Sequence, residues 1–437
     1  EVRGVSKDTR TIQPGNLYVP LIGERFDGHD FVAEAFQKGA SASLWQRDHG
    51  SPPDGGPVIV VDDALQALQR LAAAYRKQLA VKVVGVTGSN GKTTTKDMVA
   101  AVLAASFNVH KTEGNLNGDI GLPLTILQLN EDTEFAVLEM GMRGRGEIEL
   151  LSRIAEPEAA IITMIGEAHL ERLGSREQIA RAKLEILSGL RENGLFVYNG
   201  DDPIIERLLA ETPRPASMRR VRFGLSDDND LYPTSVELQT AGMRFTTNEG
   251  TSFYIPMLGR HNVVNALSAI AVGRHFGVSD ADIARGLSLF QPTGMRIERV
   301  TGVTGLTILN DAYNASPSSV RASVELFRDM SGFSQKFVVL GDMLELGERE
   351  DEYHRDIGRL LSPESFDYVF TYGPLAKRIA EAAEPAFAPG RVRWFERKED
   401  IVKAIGALAT PSDGVLVKGS RGMRLEDVVR ELAALAI

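Results

Sequence analysis

The segment Gly85-Val86-Thr87-Gly88-Ser89-Asn90-Gly91-Lys92-Thr93-Thr94 constrains this chain more than any other. An apolar run, Val81-Lys82-Val83-Val84-Gly85-Val86, leads into it, and apolar residues at helical spacing (Met98, Ala101, Val102, Ala105) follow. A glycine-rich turn between a strand and a helix lets backbone N–H groups converge on phosphate oxygens, and the helix N-terminus adds a favourable dipole. In that setting Lys92 pairs with the β/γ-phosphates of a nucleotide, and the Thr93 hydroxyl is placed to ligate Mg2+. Gly88, Asn90, Gly91 and Thr94 belong to the same candidate nucleotide loop. An ordinary βα turn is the plainer reading, and Gly-Lys-Thr in this context argues against it. The spacing is not that of the generic phosphate loop, since strict G-x-x-x-x-G-K-[ST] requires glycine where Val86 stands. No Asn-Lys-x-Asp sequence occurs, which disfavours a GTPase.

A chain of 437 residues has room for about three domains. Residues 1–80 read as a small mixed α/β domain, with a strand-like Asn16-Leu17-Tyr18-Val19-Pro20-Leu21-Ile22, a helix-like 31–38, a second strand at 58–61 and an Ala/Leu-rich helix over 64–79. Residues 81–293 read as repeated βα units of a P-loop-type, doubly wound ATPase domain, with strands at 135–138, 159–165 and 195–199 and helices near 146–154 and 176–190. Residues 294–437 read as a Rossmann-like α/β domain. Its strands fall near 306–310, 337–340, 368–372 and 415–417, so Asp311, Asp342, Gly373 and Lys418 are expected along one carboxyl edge. The absence of cysteine removes disulfides, zinc-thiolate sites, iron–sulfur clusters and thiol nucleophiles together. A net charge of −10 argues against a surface devoted to nucleic acid. No apolar run approaches the roughly 18–20 residues of a membrane helix, and no signal-peptide pattern is visible, so a cytoplasmic protein is expected. The chain starts at Glu1 rather than Met, which leaves room for a short leader upstream of this numbering.

Further candidates lie past the strands. Phe135-Ala136-Val137-Leu138-Glu139 is a buried-type strand ending in a carboxylate; alone, Glu139 reads as solvated, and beside the phosphate loop it reads as an oxygen ligand for a hard cation. His169 follows the strand at 159–165, and Lys183 sits in the helical Ile179-Ala180-Arg181-Ala182-Lys183-Leu184; without context either is structural or solvated. In Gly259-Arg260-His261-Asn262-Val263-Val264-Asn265-Ala266 the two Asn residues stand i, i+3, so their amides either read an adenine edge or cap a helix. Gly294-Met295-Arg296 offers a guanidinium for a phosphate, and Asn310-Asp311-Ala312-Tyr313-Asn314-Ala315-Ser316-Pro317 is also compatible with a plain turn.

The G-x-x-G-x-x-G-K-T-T spacing resembles that of the Mur ligase and folylpolyglutamate synthetase superfamily, and the resemblance to Mur ligases extends over essentially the whole chain. Glu139, His169 and Lys183 match the family's strand-end carboxylate, loop histidine and downstream lysine one by one. The resemblance implies that the Lys183 amine captures CO2 as a carbamate, a carboxylate-like ligand that helps His169 hold a second Mg2+; Arg181, the nearest rival, forms no carbamate. It implies that Asn262 and Asn265 meet the adenine, and that Arg296 and Asp311 reach ATP across an interdomain cleft. Ser6-Lys7-Asp8-Thr9-Arg10 with Gly15-Asn16-Leu17-Tyr18-Val19-Pro20-Leu21 resembles the family's uridine-nucleotide domain, which makes Ser6, Asp8, Thr9 and Arg10 substrate-binding candidates. Glu113-Gly114-Asn115-Leu116-Asn117-Gly118-Asp119, Asp311-Ala312-Tyr313-Asn314 and Leu340-Gly341-Asp342-Met343-Leu344-Glu345-Leu346-Gly347 resemble the pentapeptide-forming members and add Asn115, Asn117, Tyr313 and Asn314. Val417-Lys418-Gly419-Ser420-Arg421-Gly422 also matches, with no role assigned. Glu139-Met140-Gly141-Met142-Arg143 replaces the more familiar Glu-x-Gly-Ala-Asn.

The activity so implied is ATP- and Mg2+-dependent amide synthesis through an acyl phosphate, joining D-alanyl-D-alanine to UDP-N-acetylmuramoyl-tripeptide for peptidoglycan. No side-chain nucleophile is required, and a monomer is expected. The sister activity, adding diaminopimelate or lysine as third residue, is the nearest alternative, although the Asp-Asn-Pro-Arg tetrapeptide associated with diaminopimelate is absent. A folylpolyglutamate synthetase leaves the N-terminal domain unexplained. A nucleotide-binding protein without turnover leaves Glu139, His169 and Lys183 unused.

Overall fold

The computed structural model describes every residue except Met295, so within Gly294-Met295-Arg296 that residue lies outside the described ones. The chain folds into three layered α/β units, one around each of three parallel or mostly parallel sheets. The N-terminal unit has a four-stranded parallel sheet, Val5–Ser6, Leu17–Tyr18, Ala42–Gln46 and Val58–Val61 in that order. The strand at 16–22 is thus only two residues long. Pro20 cannot donate to a ladder, and the chain turns away there. The expected helix at 31–38 is a 3-10 turn, Gly28–Phe31, running into a helix at Val32–Gln37.

The central sheet is six-stranded and wholly parallel, ordered Arg219–Phe223, Leu195–Asn199, Ala159–Ile162, Lys82–Thr87, Phe135–Glu139, Val109–Lys111. Alternate side chains of its strands feed two apolar cores, one on each face, as a doubly wound sheet requires. Chain order reverses on either side of Lys82–Thr87, which makes the carboxyl end of that strand the topological switch point where ligands of such sheets sit. Helix Lys92–Ala104 leaves that point and packs beneath helices Arg260–His275 and Asp280–Leu289. Residues 233–255, which carry no clear strand pattern in sequence, form a three-stranded antiparallel sheet: Pro233–Leu238, Met243–Thr247, Ser252–Ile255. Only one face of it is covered, by Met243, Phe245, Phe253 and Ile255.

The C-terminal sheet is also six-stranded, ordered Glu298–Thr301, Thr307–Asp311, Gly414–Lys418, Lys336–Gly341, Tyr368–Tyr372, Val392–Phe395, with only the first strand antiparallel. The four residues expected along its edge meet in pairs. Asp311 binds Lys418, and a Cβ at Gly373 would lie 2.4 Å from the Asp342 carboxylate.

One residue rivets the first unit to the second. Helix Ala64–Gln78 carries Arg76, which is 1% exposed. Its guanidinium donates to the Ala155 carbonyl at 2.7 Å, the Val81 carbonyl at 2.9 Å, the Glu156 carbonyl at 3.0 Å and the Glu158 carboxylate at 3.2 Å. The planar donor fork suits such a cluster, which a lysine could not satisfy. Arg76→Ala is expected to cost about 3–5 kcal/mol by stripping the donor fork from three carbonyls and from Glu158, which then keeps the Val83 N–H and Arg191. A lowered urea midpoint measures this, and Arg76→Lys should recover little of it.

Candidate active site at the domain cleft

The turn out of strand Lys82–Thr87 needs two glycines. Gly88 has φ +149°, and a Cβ there would fall 1.8 Å from the Thr163 hydroxyl; Gly91 has φ +83°, with the Asn265 side chain 2.8 Å from where a Cβ would sit. Gly91 caps helix Lys92–Ala104, so the first helical N–H groups open into the cleft without a side-chain cap. Thr163 donates to the Asn90 carbonyl, and the Ser89 hydroxyl accepts the Gly166 N–H at 2.8 Å. The loop is therefore shaped before any ligand arrives.

Lys92 folds back onto the Gly88 carbonyl at 2.9 Å. Burial lowers its pKa, Arg296 lowers it further, and Glu139 opposes both. Glu139, 3% exposed at the end of strand Phe135–Glu139, accepts from the Thr93 hydroxyl at 3.0 Å and from the Asn117 amide at 3.0 Å. Its own N–H donates to the Thr112 hydroxyl at 2.9 Å. Asn117, expected at the substrate, thus has its amide on the carboxylate beside Thr93, whereas Asn115 lies exposed on the same loop.

Lys183 is 1% exposed, and its Nζ has no hydrogen-bond partner among the described residues. Burial and then the nearby Lys92 charge push its pKa well below the ordinary lysine value, against the pull of Glu139. Arg181, two residues away, points out to Glu177 and Glu211 instead. His169 stands before helix Leu170–Leu173 at φ +67°; burial, Lys183 and Lys92 lower its pKa, with Glu345 opposing. Thr93, Glu139, His169 and Lys183 therefore converge, and the orphaned buried Nζ marks a place that lacks an oxygen or ion partner. That donor set fits a hard divalent cation once the amine carries a carboxylate.

A cavity of about 730 Å3 lies between the central and C-terminal units. Asn90, Gly91, Thr94, Arg296, Asp311, Tyr313 and Asn314 line it, with Asn262 and Asn265. Gly259, not Asn262, caps helix Arg260–His275; Asn262 donates to the Leu258 carbonyl at 2.8 Å and accepts from Asn265 at 3.2 Å. The amides thus form a fixed polar strip. Facing them are Leu225, Val236, Leu238, Met243 and Met257, an apolar slot with a polar rim, as a purine requires. Three of these five come from the antiparallel sheet, so sequence reading missed them for want of a legible strand pattern.

The Arg296 guanidinium stacks over Tyr313 at 4.3 Å, and its Nε has no hydrogen-bond partner among the described residues. Asp311 is held by Lys418 at 2.7 Å and by the Ser323 hydroxyl, while Lys418 also reaches the Asn314 carbonyl at 2.9 Å. Lys418, without a role in the sequence reading, is thus the buried partner of the strand-end aspartate. His261 faces this pair; burial depresses it to about 4, so it is neutral at physiological pH. Across the cleft, Asn90 donates to the hydroxyls of Ser316 at 3.0 Å and Ser318 at 3.1 Å.

Ser6, Asp8, Thr9 and Arg10 do not line this cavity. Asp8 is clamped by Arg10, whose Nη2 lies 2.7 Å away, and that bond holds its carboxyl down at about 2. Ser6 donates to the Asp8 carbonyl at 3.0 Å, and Thr9 is buried with its carbonyl accepting from Lys38 at 2.9 Å. The four shape one surface turn of the N-terminal unit.

Family models match in three parts: the Mur ligase family, catalytic domain, over residues 1–76; the Mur ligase middle domain over 86–273; and the Mur ligase, glutamate ligase domain, over 295–421. The chain is 49% identical over 433 residues to the UDP-N-acetylmuramoyl-tripeptide--D-alanyl-D-alanine ligase of Bacillus subtilis, covering 99% of this chain and 93% of that one. A crystal structure of MurF from Acinetobacter baumannii superposes with a TM-score of 0.89 at 32% identity, covering 99% and 93% of the two chains. A crystal structure of MurF ligase from Thermotoga maritima in complex with ADP gives 0.86 at 29%, covering 99% and 97%.

Replacing Gly91 by Ala is expected to weaken binding of a non-hydrolysable ATP analogue by about 1–3 kcal/mol, roughly 5- to 150-fold in Kd, through left-handed strain and the Asn265 contact. Isothermal titration reads this directly.

Proposed function

The chain belongs to the Mur ligase family, and from that premise we propose that it joins D-alanyl-D-alanine to UDP-N-acetylmuramoyl-tripeptide at the expense of ATP. The observation that carries the chemistry is the buried, unpartnered Lys183 amine beside Glu139, His169 and the phosphate loop. The name of the Bacillus subtilis relative supports the substrates, and the ADP in the Thermotoga maritima structure supports the nucleotide. Among the described residues no helix is long and apolar enough to cross a membrane.

In this reading residues 1–80 hold the uridine nucleotide through the turn at Ser6, Asp8, Thr9 and Arg10, residues 81–293 hold ATP, and residues 294–437 bring in the amine. Backbone N–H groups of the Gly88–Lys92 turn and the Lys92 ammonium hold the phosphates. Asn262 and Asn265 meet the adenine edge within the apolar slot, and Arg296, kept flat by Tyr313, meets a phosphate from above. Asn115, Asn117, Tyr313 and Asn314 border the path of the peptide carboxylate. That carboxylate attacks the γ-phosphorus and ADP leaves; the amine then attacks the acyl phosphate carbonyl, and inorganic phosphate departs. Water would hydrolyse this anhydride, so the C-terminal unit must shut the cleft.

Thr93, Glu139, His169 and carbamylated Lys183 would hold two magnesium ions, whose chemistry is to neutralise charge on the phosphates and the attacking carboxylate. The neutral Lys183 amine adds to CO2 with loss of a proton, giving N-carboxylysine and turning a costly buried cation into an anionic ligand. A neutral amine is what this step needs, and burial beside Lys92 shifts Lys183 in that direction.

Phosphate release from pure protein, ATP and UDP-linked dipeptide or tripeptide acceptors, each with a panel of amines, tests the reading. Release should require the tripeptide and D-alanyl-D-alanine together; release with the dipeptide and diaminopimelate or lysine would assign the sister activity. Lys183→Ala should lower ligation on the order of 10²–10³-fold, with partial recovery on adding formate or acetate. Full activity of that variant without an added carboxylate sinks the carbamate.

A further inference from the structure

The segment 342–347 of the C-terminal unit touches one candidate metal residue of the central unit, His169, and the mechanism above makes no use of it. Two non-glycine residues in left-handed conformation meet there: His169 at φ +67° and Glu345 at φ +62°. Such strain persists only where the surroundings over-determine it. The Glu345 Oε2 lies 3.4 Å from the His169 Nδ1, a buried atom with no hydrogen bond among the described residues. The Glu345 carbonyl also accepts the Glu171 N–H at 3.2 Å. Both contacts cross between the two units.

Glu345 is presented from a rigid base. The Met343 N–H donates to the His354 Nε2 at 3.0 Å, and the other His354 nitrogen meets the Glu350 carbonyl at 2.6 Å. The Leu344 N–H donates to the Ser420 hydroxyl at 3.0 Å, while the Met343 and Leu346 side chains are buried. That same Ser420 hydroxyl donates to the Ala315 carbonyl at 3.3 Å. Ala315 adjoins Ser316, the hydroxyl that meets Asn90 of the phosphate loop. One stiff assembly thus touches the phosphate loop on one side and His169 on the other.

A metal-ligating imidazole gives one nitrogen to the ion and its other N–H to an acceptor, which fixes the tautomer and raises basicity. Among the described residues the central unit provides no acceptor for the His169 Nδ1, whereas the C-terminal unit brings the Glu345 carboxylate to 3.4 Å. We propose that Glu345 is a positioning residue for His169, which completes the metal site only when the C-terminal unit is docked and so ties catalytic competence to closure. This rests on His169 ligating a metal as read above. At 3.4 Å the pair is longer than a formed hydrogen bond and is expected to tighten on loading.

The test uses the full chain with Mn2+ and the ATP analogue AMPPCP, counting free Mn2+ by electron paramagnetic resonance. Glu345→Gln should weaken one Mn2+ site by roughly tenfold and lower kcat with KM for ATP unchanged, and Glu345→Lys should do more. Glu348→Gln, exposed on the 3-10 turn that follows, should leave the Mn2+ sites and kcat as in the parent chain. In a His169→Ala background Glu345→Gln should have no further effect on Mn2+ affinity. Unchanged affinity in Glu345→Gln, or an equal loss in both backgrounds, overturns the coupling while leaving the metal reading intact. A parent chain whose Mn2+ sites ignore His169→Ala overturns both.

Discussion

The turn that carries the chain from strand Lys82–Thr87 into helix Lys92–Ala104 decides where everything else must lie. Its strand is central in a parallel sheet and marks the switch point, so the loops leaving the strands on either side open at one place. One neighbour ends in Glu139 and the other leads through Thr163 to His169. The carboxylate and the imidazole thus arrive from opposite sides without either having to be carried on a long loop. Gly88 and Gly91 make the turn tight enough for Thr163 and Asn265 to pack directly against its backbone. A side chain at either glycine would displace those neighbours, not merely strain the loop.

Around that turn the electrostatics are lopsided. Besides burial, Arg296 lowers the pKa of Lys92 and Lys92 lowers that of Lys183, and Glu139 is the carboxylate that opposes both shifts. Burying like charges costs stability unless the cations shed protons or gain anions. In the proposed reading a polyphosphate and a carbamate would supply anions there, so that an arrangement unfavourable in the free protein would become favourable on loading. This is preorganisation: the field is in place before the substrate and need not be assembled during the reaction.

The three units are joined by different means. Arg76 fastens the N-terminal unit through donors to carbonyls and a carboxylate of the central one, a bond network with little freedom to slide. The C-terminal unit meets the cleft through small hydroxyls, Asn90 and the Glu345 contact. Such polar, partly exposed contacts open and close at modest cost. The fixed joint sits where geometry must persist and the lighter one where substrates must enter.

The doubly wound architecture was legible because its elements carry local signals: apolar runs of strand length, helical periodicity and glycines at a turn. The sheet over 233–255 was not, since Pro233–Leu238 shows little alternation and Met243–Thr247 and Ser252–Ile255 are only five and four residues long. Arg76 stands in an Ala/Leu-rich helix with nothing nearby in sequence to mark it, and only the crossing of that helix over residues 155–158 buries it. Asn117 and Lys418 had family motifs around them yet no visible partners, because Glu139 lies 22 residues from one and Asp311 lies 107 residues from the other. By itself, then, the sequence determined which residue types stand at strand ends and in the phosphate loop, because local sterics and periodicity act over a few residues. Which of those groups are desolvated, paired or left without a partner was decided only by the tertiary structure. Burial and through-space charge are properties of the assembled units, and they are what make the Lys183 amine different from any other lysine on a helix.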